Sequence, residues 1–290
     1  MSTNAGEGAH PAVAADGFDG VVFAGGGCRC FWQAGFWTVA AEPLAIAPRA
    51  VAAVSAGVAF ACAAMGGNLE EVVRDFRRRT AANRRNVYLG NALRRRPMFP
   101  HGEIYRDTIL AMVDADTLAR IRQGPQIRAL IAYPPPRFAP APAAVLAFAA
   151  YRLDRAVRGS VHPTYGRALG FREQVVPVGD CTTPQQLADL ILQSSCMPPI
   201  TPQYTRDGAP VVDGGILDGA PADLVSDCRR TLVLLTRQYG QLPQSERRQY
   251  VQPSEPIPVS MWDYTSPSLV QQTFDLGRRD GERFVAARRH

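Results

Sequence analysis

Two short apolar runs near the start of the chain each close on very small residues and reopen as an apolar helix. Gly20-Val21-Val22-Phe23-Ala24 passes through Gly25-Gly26-Gly27 into a helical stretch over residues 31–41. Arg49-Ala50-Val51-Ala52-Ala53-Val54 passes through Ser55 into a second apolar helix over residues 56–65. Runs this short, bounded by turn residues, read as buried strands. A strand, a tight turn and a helix, repeated in that order, need a parallel partner strand. The pattern continues. Further strands are expected at 126–132, 174–178, 210–213 and 231–236, and helices at 69–82, 103–113, 143–156, 184–194 and 267–288. The expected fold is α/β: a central, mainly parallel sheet with helices on both faces.

The chain has 290 residues, within reach of one open sheet. Residues 1–17 are expected to form a flexible N-terminal tail and 18–290 one domain, without repeats or a long linker. The proline-rich stretch over residues 133–142 cannot be a helix or a central strand. It leads into an apolar segment, 143–150, that is either a core helix or a flap over the site.

Three pieces carry chemistry. Ser55 lies at a strand-to-helix corner, where a tight turn exposes a hydroxyl and the following helix points its N-terminus at developing negative charge. Gly57, one residue beyond Ala56, keeps that corner free of bulk. Gly25, Gly26 and Gly27 can turn successive backbone N–H groups toward one point, which suits a phosphate or an oxyanion. A dinucleotide fingerprint would need glycine at position 30, which is Cys30. A phosphate-binding P-loop is excluded, because the chain contains no lysine. Arg29 can brace the loop or meet an anionic group. Asp213 ends an apolar run and precedes Gly214 and Gly215, which let the backbone turn and bring the carboxylate to a neighbour. The histidines are His10, His101, His162 and His290. Only the terminal His290 follows Asp213, so the economical reading makes Asp213 itself the base for Ser55.

This ordered set, with Gln193-Ser194-Ser195-Cys196-Met197-Pro198-Pro199 and Asp218-Gly219-Ala220-Pro221, resembles the patatin-like phospholipase family over roughly residues 18–225. The resemblance implies an α/β hydrolase-like sheet and a Ser–Asp dyad that hydrolyses acyl esters of lipids without a metal or other cofactor. Ser55 is then the nucleophile, Asp213 the base and Gly25–Gly27 the oxyanion hole. The implied partner is a phospholipid or another lipid ester. Transfer of the acyl group to an alcohol is a variant of the same chemistry. Two positions depart from the family pattern. Ala53 replaces the first glycine of the turn, and Cys30 stands where the glycine loop usually ends in glycine. A catalytically weak relative that binds lipid or a partner protein is the alternative these departures motivate.

Net charge is +6, and nine arginines fall between Arg74 and Arg96. They are expected either to form a solvated helix face or to give peripheral contact with anionic membrane. Nucleic acid is not expected, since aromatic residues are sparse among them, with Phe76 and Tyr88 alone in the run. Oligomeric state is left open. Six cysteines show no metal spacing, which favours a reducing, cytoplasmic setting. Neither a signal peptide nor a run of transmembrane length is expected.

Overall fold

The computed structural model describes residues 17–139, 142, 143, 145, 146, 149 and 159–289. The expected tail, apart from residue 17, and most of the expected 143–156 helix lie outside the described residues, as do His10 and His290.

Strands β1 (Gly20–Phe23), β2 (Ala50–Val54) and β3 (Gln126–Tyr133) are joined through helices α1 (Phe31–Ala40), α2 (Ala56–Gly66), α3 (Leu69–Ala82), α4 (His101–Met112) and α5 (Ala115–Gln123). Then come β4 (Arg172–Pro177), α6 (Pro184–Ser194), a two-residue hairpin of β5 (Thr205–Arg206) and β6 (Ala209–Pro210), and β7 (Val212–Asp213). The chain closes with β8 (Thr231–Leu234), β9 (Arg248–Val251) and α7 (Pro267–Ala286). The sheet order is β4-β3-β2-β1-β8-β9, with β7 also on β3. Pairs β3–β2, β2–β1, β1–β8 and β8–β9 are parallel, while β4 and β7 run antiparallel to β3. The sheet is therefore mixed, mostly parallel, with helices around it.

Alternate residues of each central strand bury opposite faces. Val21, Phe23, Val51, Ala53, Ile127 and Leu232 join the core beneath the helices. Val22, Ala50, Ala52 and Val233 pack against the turn at Ala222–Val225 on the other side. α1 and α7 approach so closely that a Cβ on Gly35 would lie 1.9 Å from the Phe274 carbonyl oxygen. The Trp32 indole N–H donates to Asp280 across that seam at 2.8 Å. Among the described residues no helix is long and apolar enough to cross a membrane.

One expected strand is corrected and two elements are added. The strand over 210–213 is broken, because Pro210 ends the β5–β6 hairpin and only Val212 and Asp213 reach β3. α5 was not foreseen: its apolar residues Leu118 and Ile121 make a narrow stripe, although Asp114 caps it by accepting the Thr117 N–H at 2.7 Å. Nor was β9, whose sequence Arg-Gln-Tyr-Val is half polar because it lies at the sheet edge.

Candidate active site

β3 acts as a ruler for the site. Leu130 pairs with Val54, the last residue of β2, and the next residue, Ile131, pairs with Asp213. β7 thus takes over along β3 where β2 stops, so Ser55 and Asp213 arrive at the same place from opposite directions. The Ser55 hydroxyl donates to Asp213 Oδ2 at 2.5 Å.

The turn at Ser55 is strained. Its φ of 55° and ψ of −138° belong to a region non-glycine residues avoid, at a cost on the order of 1–3 kcal/mol. Several bonds hold it there. The Ser55 N–H donates to Ser194 Oγ at 2.9 Å, and the Ser55 carbonyl accepts the Val58 N–H at 3.0 Å. Gly57 is needed for close approach: a Cβ there would lie 2.3 Å from the Phe23 carbonyl oxygen. Ala53 is fully buried in β2 and its methyl sits in the core. The positive φ falls on Ser55, two residues later, so the strand needs no glycine at 53.

Asp213 is buried, and burial pushes its carboxyl up to about 6, against the lowering pull of the Ser55 hydroxyl and the Gly215 N–H. That N–H reaches Asp213 Oδ1 at 2.7 Å. Gly214 opens the short turn after Asp213 and is buried. Among the described residues, neither His101 nor His162 hydrogen-bonds to the pair. His101 opens α4 and its Nε2 donates to the Trp262 carbonyl at 2.9 Å; burial lowers its pKa against the pull of that bond. His162 lies between Asp218 at 3.0 Å and the Tyr250 hydroxyl at 2.9 Å.

The three glycines of the loop are not equivalent. The Gly25 N–H donates to the Gly219 carbonyl at 2.9 Å, so it is already engaged. Among the described residues, the Gly26 and Gly27 N–H groups meet no acceptor, and both residues line the cleft beside Ser55. Gly27 has a φ of +56°, and a Cβ there would lie 2.3 Å from the Met261 carbonyl oxygen. Arg29 is half-buried in the following turn, and its N–H donates to the Gly26 carbonyl at 3.2 Å. Cys30 is buried, with its thiol 3.5 Å from the Ala24 carbonyl oxygen, and burial raises that thiol far above its ordinary range. It fills core volume rather than exposing a nucleophile.

Gly26, Gly27, Ser55, Asp213, Tyr105 and Trp262 are among the residues lining a cleft of about 790 Å³, its open mouth included. A second, apolar compartment of about 400 Å³, its open side included, shares Gly27, Ala56, Tyr105 and Tyr264 with it. It extends between α2, α3 and α4, past Phe60, Phe76 and Met112.

Sequence reasoning missed Ser194, whose hydroxyl also donates to the Leu130 carbonyl at 2.7 Å. The stretch 193–199 stands out in the sequence, but nothing in it singles out which serine turns inward. Met261, Trp262 and Tyr264 were missed as well. They come from a loop more than 200 residues from Ser55 and carry no local signal.

A search of curated proteins found no match to the chain. The family model described as patatin-like phospholipase matches residues 21–226, which spans β1 through the turn at Ala222–Val225 and includes Gly25–Gly27, Ser55 and Asp213. Over that much of its length, the chain belongs to the patatin-like phospholipase family.

Proposed function

We propose that the protein is a serine acyl-ester hydrolase of phospholipids or other lipid esters, working through a Ser55–Asp213 dyad, and that residues 18–290 form one such domain. The observation that carries this reading is the 2.5 Å contact between Ser55 Oγ and Asp213 Oδ2 at the floor of the cleft. A carboxyl titrating near 6 is ionised at neutral pH and can take a proton. As Ser55 Oγ attacks the ester carbonyl carbon, its proton passes to Asp213. The carbonyl oxygen becomes an oxyanion facing the N–H groups of Gly26 and Gly27, with the N-terminus of α2 behind Ser55. Gly25 supports the loop through Gly219 rather than donating to the oxyanion. Collapse of the tetrahedral intermediate breaks the ester bond, and the departing alcohol takes the proton from Asp213. Water then attacks the acyl-Ser55 ester, gives a proton to Asp213, and the carboxylic acid leaves as Ser55 recovers its proton. An alcohol in place of that water would make the step an acyl transfer.

The apolar compartment beside the cleft suits a lipid acyl chain. The six cysteines are free and buried, which fits a cytoplasmic setting. Accommodation of Ala53 and Cys30 in the core favours an active enzyme over a weak relative. A fluorophosphonate probe and a short-chain ester test the reading: wild type should be labelled and should turn over the ester, and Ser55→Ala should do neither. Wild type that resists labelling and leaves every ester intact would overturn it.

A further inference from the structure

Apart from Arg74, exposed on α3, the arginine cluster splits in two. On α3, Arg77 donates to the Gln271 side chain at 2.7 Å, Arg79 pairs with Asp75 at 2.6 Å, and Arg78 pairs with the same aspartate. These side chains are committed to the fold. Arg84, Arg85, Arg94, Arg95 and Arg96 are exposed and, among the described residues, form no ion pair. They lie in the loop between α3 and α4, and no acidic residue occurs from Phe76 to Gly102.

That loop also exposes large apolar side chains. Leu93 is 92% exposed, Leu89 74% and Val87 40%. Three such residues within seven positions, at the tip of a folded loop, are costly in water unless something covers them. The loop is ordered at its neck: the Tyr88 N–H donates to the Met98 carbonyl at 2.8 Å, and the Asn91 side chain to the Pro97 carbonyl at 2.9 Å. The neck is tied to the cleft wall. The Asn83 side chain donates to the Tyr264 carbonyl at 2.9 Å, and Asn86 accepts the Tyr264 N–H at 2.8 Å. Tyr264 lines the cleft beside Trp262 and His101.

We propose that the loop over residues 84–96 is an interfacial anchor, with Val87, Leu89 and Leu93 entering an anionic bilayer and Arg84, Arg85 and Arg94–Arg96 meeting its headgroups. Apolar tips ringed by unpaired cations match an anionic lipid surface, where leucines reach acyl carbon while guanidiniums stay at the phosphates. An acidic protein would satisfy the arginines but leave the leucines unexplained. Because the neck and the cleft share Tyr264, docking would set the cleft mouth at the lipid surface. The partner follows from the lipid acyl-hydrolase reading, but binding is measured apart from hydrolysis.

The test is co-sedimentation of the full chain with neutral phosphatidylcholine vesicles and with vesicles containing phosphatidylglycerol, at low and high salt. Turnover of a soluble short-chain ester is followed in parallel. Wild type should favour the anionic vesicles. Arg94→Gln/Arg95→Gln/Arg96→Gln should weaken binding by on the order of 100-fold at low salt, at about fivefold per arginine, and reduce its salt dependence. Leu89→Ser/Leu93→Ser should weaken binding at both salt concentrations, whereas Arg77→Gln should bind as wild type does. All three side-chain sets lie outside the cleft, so soluble-ester turnover and circular dichroism should match wild type. Equal sedimentation of wild type and the Leu89/Leu93 variant, no preference for anionic vesicles, or no vesicle binding at all would overturn the anchor. Failure to hydrolyse the soluble ester would instead strike the enzymatic reading and leave the vesicle result standing.

Discussion

The Ser194 hydroxyl accepts the Ser55 N–H at 2.9 Å and gives its own proton to the Leu130 carbonyl at 2.7 Å. One buried side chain at the end of α6 therefore joins the strained turn to β3, the strand that also aligns Asp213. Ser194→Ala would leave a buried donor and a buried acceptor unpaired, costing about 1–3 kcal/mol in denaturant unfolding. The turn would also relax away from Asp213. Turnover of a short ester should fall on the order of tenfold, with little change in KM. Lost stability with unchanged kcat would make Ser194 a purely structural residue.

Ser55 and Asp213 are expected to act as one unit. Ser55→Ala and Asp213→Asn should each lower kcat on the order of 10³-fold or more, and the double variant should be little worse than either single one. Circular dichroism should show the fold intact in all three. Fully additive losses would mean that the two residues act separately.

The raised carboxyl of Asp213 fixes two pH signatures. As the proposed base it must be ionised, so kcat/KM should climb with pH through about 6 and then level off. Its effect on stability has the opposite slope. A folded pKa of about 6 against an ordinary 3.8 means the native state holds the proton more tightly. Its stabilising contribution is full below 3.8, falls as pH rises toward 6, and is gone above it, a difference on the order of 3 kcal/mol. Asp213→Asn should therefore be more stable than wild type at pH 8, by about 1–3 kcal/mol, and lose that advantage near pH 4. Chemical unfolding at the two pH values checks this, and equal advantages at both would refute the burial argument.

The sheet and the two residues that meet at the cleft were legible because they rest on local chemistry. Strands such as Val21–Phe23 are short apolar runs, and Ser55 and Asp213 each stand at the end of one beside glycines. What escaped notice depends on contacts distant in sequence. The Gly25 N–H is spent on Gly219, and Met261 dictates glycine at 27; no local pattern encodes either pairing. The arginine run was legible as charge, but not which of its side chains are paired. Asp75 and Gln271 decide which arginines remain available, and only the fold brings Gln271 to α3.

The apolar compartment makes a prediction about chain length. It joins the cleft at Gly27, Ala56, Tyr105 and Tyr264, and follows α4 from Tyr105 to Met112. At 1.5 Å rise per residue that path is about 10 Å. Carbon–carbon bonds of about 1.5 Å advance an extended chain by roughly 1.25 Å each, so about eight carbons fit. Across linear acyl esters, kcat/KM should rise by about fourfold per added methylene, the worth of roughly 0.8 kcal/mol of buried CH₂, and flatten near eight carbons. Ala59 lines this compartment and not the cleft, so Ala59→Leu should shorten the preferred chain and spare acetate and butyrate esters. Met112→Ala, at the far end, should move the plateau toward longer chains, at a stability cost of about 2–5 kcal/mol for a buried methionine. Identical chain-length profiles for wild type, Ala59→Leu and Met112→Ala would place the acyl chain elsewhere in the cleft.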